Sequence, residues 1–139
     1  MNDGGALALP DLRVPGYIEA GELAESYSWN HFISGHLGRL ATRDDVAVHR
    51  RYIDDIVESC YAALASGDPT PSFGKYRENA WAGVRGYLGA VTERAAAPVI
   101  DKYTGVLAAA DIEEFTTSTT FMILQSLRLD RGIGSQVHP

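Results

Sequence analysis

The sequence is poor in positive charge, and this limits the partners that the protein can have. It has 12 lysine and arginine residues against 18 aspartate and glutamate residues, so its formal net charge is −6 at pH 7 and its isoelectric point is about 5.1. Proteins that bind nucleic acids normally present a basic face, because they neutralise phosphates. The charge balance therefore argues against a nucleic-acid partner.

Cysteine and long apolar runs are also scarce. The single cysteine, Cys60, permits no internal disulfide. No apolar run approaches the roughly 18 residues of a membrane-spanning helix, so we expect no membrane partner. The first residues hold an acid and two glycines where a signal peptide would carry positive charge. These features predict a cytoplasmic protein, and the excess of arginine over lysine, ten to two, indicates a bacterial genome of high GC content.

The chain of 139 residues is long enough for one domain with a real core, since 45% of its residues are hydrophobic. Residues 1–16 contain three glycines and two prolines and no periodic pattern, which predicts an extended N-terminal arm. Residues 17–132 form the predicted helical domain, and residues 133–139 form a C-terminal tail.

Apolar residues at helical spacing predict four main helices, covering about residues 17–40, 44–65, 72–97 and 111–130. Thr42-x-x-Asp45 is an acidic variant of the capping box and marks the start of the second helix. Pro98 is expected to kink the third helix or to begin a new one. The predicted fold class is all-α, a compact bundle of four main helices with the arm outside it.

Two histidines lie on apolar helix faces in this scheme. His36 shares a face of the first helix with Trp29, Ile33, Leu37 and Leu40, and His49 lies on the apolar stripe of the second helix. A buried histidine is often a core residue whose nitrogen atoms are bonded to backbone or hydroxyl groups. Here other polar residues accompany the two imidazoles, which raises the possibility of a site.

We predict that this site lies at the centre of the bundle. The candidate catalytic residues are His49, His36 and Glu25, with a histidine as the base and the carboxylate as its orienting partner. The candidate substrate-binding residues are Trp29, Arg77, Trp81, Ser118, Thr119 and Tyr52. Arg77 would hold an anionic or carbonyl group of the substrate. The structural alternative is a Glu25–Arg77 ion pair that closes one end of the bundle.

No cofactor or metal is expected. The sequence contains no HExxH, no CxxC and no Glu-x-x-His spacing, so the usual metal-binding patterns of helical proteins are missing from it. Asp54, Asp55 and Glu58 are interpreted as part of a solvated face, because they point away from the His49 stripe. Cys60 is interpreted as a small core residue.

Two features of the later helices predict close helix contacts. Phe115, Met122 and Leu129 share one face of the fourth helix while other apolar residues point elsewhere, which favours a homodimer contact through this helix. Gly83, Gly86 and Gly89 recur every three residues on the third helix, and the close approach of another helix or of a ligand would explain them.

The leading interpretation is a small-molecule site used by a cofactor-independent acid–base enzyme of the isomerase, cyclase or lyase type. One alternative is a binding or resistance protein that sequesters its ligand without catalysis. The other is a homo-oligomeric interaction protein whose polar residues are structural.

Overall fold

The computed structural model describes residues 14–33, 40–107 and 111–131. Five helices follow one another in these ranges: α1 (Val14–Ser26), α2 (Arg43–Ala65), α3 (Thr70–Lys75), α4 (Ala80–Tyr103) and α5 (Ile112–Arg131). The only extended pairing in the same ranges consists of two isolated bridges. The predicted fold class, an all-α bundle with four main helices, is confirmed. No helix in the described part of the chain is long and apolar enough to cross a membrane.

Backbone contacts divide the chain into two units, residues 1–54 and 55–139, and the boundary falls inside α2. Unit 1 contains α1 and the first half of α2, and unit 2 contains the second half of α2 with α3, α4 and α5. Of the predicted arm, only residues 14–16 are described, and they begin α1. The rest of the arm and the predicted tail, residues 133–139, lie outside the described ranges.

The first helix is much shorter than predicted. It ends at Ser26, whose hydroxyl donates to the carbonyl of Leu23 at 2.7 Å. Residues 27–30 combine aromatic, serine and asparagine side chains of weak helix propensity. Beyond them, Phe32 and Ala41 exchange two backbone hydrogen bonds of 2.9 and 2.8 Å as an antiparallel bridge. One helix extending to residue 40 would exclude this bridge, so the predicted extent is wrong.

The second helix begins at the predicted capping box. The backbone N–H of Thr42 donates to the Asp45 carboxylate at 2.8 Å, and the backbone N–H of Asp45 donates to the Thr42 hydroxyl at 3.3 Å. The buried face of α2 consists of Tyr52, Ile53, Ile56, Cys60, Ala63 and Leu64. The apolar stripe predicted through His49 is therefore buried only in the C-terminal part of α2, since His49 itself is exposed.

In unit 2, the second half of α2 contacts both α4 and α5. The Ser59 hydroxyl donates to the carbonyl of Ala95 at 2.7 Å, and the Cys60 thiol lies 3.7 Å from the carbonyl of Thr120. The core is mostly aliphatic and includes Ile56, Val91, Ala95, Val99, Leu124 and Leu127. Burial raises the pKa of Cys60 to about 12, which agrees with a core role for this thiol.

The predicted third helix is divided into α3 and α4. Asn79 caps α4, since its side-chain oxygen accepts the backbone N–H of Ala82 at 3.0 Å. Pro98 does not interrupt the helix, which continues to Tyr103 and ends before Gly105, a residue with a positive φ of 82°. Helices α4 and α5 pack against each other, and the end of α4 lies near the start of α5.

The glycines of α4 allow α3 to approach closely. A Cβ atom at Gly83 would lie 2.9 Å from the ring of Phe73, and one at Gly86 would lie 3.0 Å from the ring of Tyr76. The predicted close approach is confirmed at these two positions. At Gly89 a Cβ atom would meet nothing within 4 Å, so no packing reason applies there.

Candidate functional site

Helix α1 lies antiparallel to the first half of α2, and the contacts follow that order along the two helices. Arg43, at the start of α2, contacts residues 25–29, whereas His49, almost two turns later, contacts Tyr17 near the start of α1. Polar side chains from both helices thus meet along one seam in unit 1. The candidate site is built on this seam.

The central contact joins Tyr17 and His49. The Tyr17 hydroxyl lies 2.9 Å from Nε2 of His49, and the two rings meet edge to face. In the tautomer with the imidazole proton on Nδ1, the phenol donates and Nε2 accepts. Tyr17 is 50% exposed and His49 also keeps an exposed edge, so a ligand in solution has access to the pair.

Partial burial of the two rings shifts both pKa values towards the neutral forms. It lowers the pKa of His49 from 6.5 and raises the pKa of Tyr17 from 10.0, because a charged imidazolium or phenolate loses hydration there. At neutral pH the pair is therefore a neutral imidazole beside a protonated phenol. This combination holds a proton acceptor and a proton donor in contact.

Arg50, the next residue after His49, binds two carboxylates of α1. Its guanidinium donates to Glu25 at 2.5 Å and to Glu22 at 3.1 Å, and Asp54 lies 3.8 Å away. The hydrogen bond to Glu25 and the negative charges of Glu25, Glu22 and Asp54 raise the pKa of Arg50, and desolvation of the guanidinium opposes them. The described partner of Glu25 is Arg50, and its role as the orienting partner of a histidine stays a prediction, because His36 lies outside the described residues.

Arg43 fixes the end of α1 and the position of Trp29. Its guanidinium donates to the carbonyls of Tyr27 at 2.7 Å, Trp29 at 3.2 Å and Glu25 at 3.5 Å, and it stacks on the Trp29 ring at 4.6 Å. Glu25 belongs to the last turn of α1, and Tyr27 and Trp29 follow the helix, so the guanidinium lies at the carbonyl end of α1, where a cation is favourable. The Trp29 indole N–H donates to the carbonyl of Ala24 at 2.7 Å.

Tyr52 is the one predicted substrate-binding residue that is fully buried. Its exposed fraction is 0%, and its ring centroid lies 6.1 Å from that of His49. The side chain supports the His49 ring from within α2. His36, the second predicted catalytic histidine, lies outside the described residues.

The remaining predicted residues belong to unit 2, and the structure corrects where they were expected to lie. Arg77 precedes α4 and is exposed, and Trp81 in its first turn is 72% exposed. On α5, Ser118 is exposed and Thr119 half-buried. The helical phase was misjudged by one or two positions, since Thr116 and Thr120 are the threonines of the buried face.

Sequence reasoning missed Tyr17, Arg43 and Arg50. Tyr17 and His49 are 32 residues apart, and no local pattern links them. Arginines at positions 43 and 50 are seven residues apart, two turns of one helix, and therefore share a face. Two arginines on one face of α2 and two glutamates, Glu22 and Glu25, on α1 are complementary in charge. This pattern is the sequence signal that could have predicted the contact between the two helices.

An open groove of about 780 Å³ lies in unit 2, between the end of α4 and the start of α5. It is lined by Ile100, Thr104, Asp111, Ile112, Glu113, Glu114, Thr117 and Ser118. Three carboxylates make this groove acidic. Across residues 14–33, 40–107 and 111–131, no three histidine, cysteine or acidic side chains are grouped so as to hold a metal ion.

Comparison with known proteins adds no functional information, because no family model, curated protein or solved structure matches the chain.

Proposed function

We propose that the protein binds a small organic molecule on the seam of unit 1 and transfers a proton to or from it through Tyr17 and His49. The observation that carries the proposal is the 2.9 Å contact between the Tyr17 hydroxyl and Nε2 of His49, on two side chains that both reach solvent. The lowered pKa of His49 supports it, since a neutral imidazole is a proton acceptor at neutral pH.

The pair can relay a proton in either direction. When the Tyr17 oxygen takes a proton from the ligand, the phenol proton passes to Nε2, and His49 becomes an imidazolium. The reverse movement returns a proton to another atom of the ligand and restores the neutral pair. A reaction that shifts a proton within one molecule, as an isomerase does, needs no cofactor for this cycle.

The ion pairs near Tyr17 and His49 fix the position of α1 relative to the first half of α2. Arg50 links α2 to Glu22 and Glu25, and Arg43 holds the end of α1, so Tyr17 is positioned relative to His49 by contacts along α1. His36 remains a predicted member of this site, whereas Arg77, Trp81, Ser118 and Thr119 belong to unit 2 and are not part of the proposal. Cytoplasmic localisation also remains a prediction, which the buried free thiol of Cys60 supports.

Ligand screening by thermal shift tests the proposal. A library of small organic acids and carbonyl compounds is screened against the wild type, Tyr17→Phe, His49→Gln and the matched control His31→Gln. We expect a compound that stabilises the wild type and the control but neither seam variant, and NMR of that compound should show turnover or proton exchange only with the first two proteins. Equal stabilisation of all four proteins, or no stabilising compound, would contradict the proposal.

A further inference from the structure

We propose that the outer face of α5 binds the same face of a second copy of the chain, with the two helices antiparallel and Met122 at the two-fold axis. This inference concerns unit 2 and does not depend on the proposed function of unit 1. It adds a register and a direction to the general expectation of a homodimer.

The outer face of α5 consists of Phe115, Ser118, Thr119, Met122, Ser126 and Leu129. Phe115 is 55% and Leu129 is 77% exposed, although both are large and apolar. This face lies opposite the buried face that contains Thr116, Thr120 and Leu124. Burial of such apolar side chains is favourable, so the hydrophobic effect favours a partner that covers this face.

None of these six residues is charged, although the Ser126 hydroxyl donates to the exposed Asp130 carboxylate at 2.6 Å, and this matters in a protein of net charge −6. Two acidic copies repel each other, and the repulsion is smallest where neither surface carries charge. The uncharged stretch from residue 115 to residue 129 is about 21 Å long, at 1.5 Å per residue. A second copy that lies along residues 115–129 therefore meets mostly uncharged side chains, with the Asp130 carboxylate beside them at Ser126.

The spacing of the apolar residues is self-complementary. Phe115 precedes Met122 by seven residues and Leu129 follows it by seven. When two antiparallel helices cross at Met122, each Phe115 meets the partner's Leu129, and Met122 meets its own copy. A two-fold interface requires this kind of matching, in which one patch contacts itself. Seven-residue spacing also keeps the three side chains on one stripe.

The charges at the two ends of unit 2 favour the antiparallel direction. Exposed Asp111, Glu113 and Glu114 lie at the start of α5. At the opposite end, beside the first half of α4, the exposed basic residues are Lys75, Arg77 and Arg85, accompanied by the acids Asp68, Glu78 and Asp130. Antiparallel pairing brings the acidic end of each copy alongside the less acidic end of the other. Parallel pairing would place the two acidic ends together.

Sedimentation velocity over a range of concentrations tests the interface. One helix pair buries less than the roughly 1,200 Å² of stable complexes, so we expect a dimer with a micromolar dissociation constant. Met122→Glu should raise that constant at least about 100-fold, because two carboxylates would face each other at the axis. The matched control is Val106→Glu, at a residue of unit 2 that is 60% exposed and lies off the outer face. A monomeric wild type, or equal effects of the two variants, would overturn the proposal.

A charge exchange tests the direction. Phe115→Glu and Leu129→Lys should each raise the dissociation constant at least about tenfold, since each removes an apolar contact. The double variant should recover most of the loss in the antiparallel arrangement, because the new carboxylate of one copy then faces the new ammonium of the other. A double variant no better than the single ones would refute the antiparallel register. Circular dichroism of each variant shows whether the helices are intact.

Discussion

The glycines of α4 allow the packing of α3 to be measured with a matched pair of substitutions. Gly83→Ala and Gly89→Ala introduce the same methyl group into the same helix interior. At Gly83 the new Cβ atom would lie 2.9 Å from one carbon atom of the Phe73 ring and 3.2 and 3.3 Å from two others. At Gly89 it would meet no atom within 4 Å.

The two substitutions should differ in their effect on the free energy of unfolding. Alanine is favoured over glycine inside a helix by roughly 1 kcal/mol, so Gly89→Ala should raise the free energy of unfolding by about that amount. Gly83→Ala has the same backbone advantage, but overpacking against the ring costs about 1–3 kcal/mol. We therefore expect Gly83→Ala to be between neutral and about 2 kcal/mol destabilising.

Urea unfolding followed by circular dichroism provides the assay, with equal m-values required before midpoints are compared. Combining each substitution with Phe73→Ala completes a double-mutant cycle. Without the Phe73 ring, Gly83→Ala should become as favourable as Gly89→Ala. If Gly83→Ala already stabilises the wild type as much as Gly89→Ala does, then α3 does not pack on α4 as described.

Three further substitutions test the seam and the core. Because burial lowers the pKa of His49, the unfolded chain takes up a proton more readily than the folded one, and the protein loses stability as pH falls below about 6.5. His49→Gln should therefore show a smaller fall in melting temperature between neutral and mildly acidic pH than the wild type. The same dependence of melting temperature on pH in both proteins would contradict this. Arg43→Ala should lower the free energy of unfolding by about 1–3 kcal/mol and speed the exchange of backbone amide hydrogens in α1. Arg43→Lys should restore little of this stability, since an ammonium group cannot reproduce the planar arrangement of guanidinium donors. Amide exchange in Arg43→Ala as slow as in the wild type would disprove the capping role. The Thr120 hydroxyl is buried with no hydrogen-bond partner among the described residues, so Thr120→Val should raise the free energy of unfolding by about 1 kcal/mol, and a fall in the urea midpoint would show that the hydroxyl has a partner.

Local signals in the sequence were sufficient for most of the helical architecture. The Thr42–Asp45 capping box located the start of α2 to within one residue, because both of its hydrogen bonds are made within four residues of chain. The start of α4 was missed although Asn79 is a typical N-cap residue. The apolar spacing of Trp29 and Ile33 suggested a continuous first helix, but Ile33 is 82% exposed and the Phe32–Ala41 bridge replaces the helix there.

The candidate site was less predictable because its contacts are not local. Sequence reasoning identified His49 as a candidate catalytic residue, but it assigned Glu25 to a histidine, whereas Arg50 binds that carboxylate across 25 residues of chain. It also expected a polar centre of the bundle, whereas Arg77 and Trp81 lie on the surface of unit 2. An error of one or two residues in helical phase moves a side chain by 100° or more, which was enough to exchange Ser118 and Thr119 for the buried Thr116 and Thr120.

The way Arg43 caps α1 has a consequence for sequence variation. At residues 25 and 27 the guanidinium contacts the backbone carbonyl and not the side chain, and every amino acid supplies a carbonyl; only at Trp29 does it also contact the side chain. Tyr27, whose side chain is 62% exposed, should therefore accept most replacements in a library of random variants. Arg43 should accept very few, since no other side chain offers the same fork of donors. A mutational scan should therefore show that position 27 tolerates most substitutions and that position 43 does not.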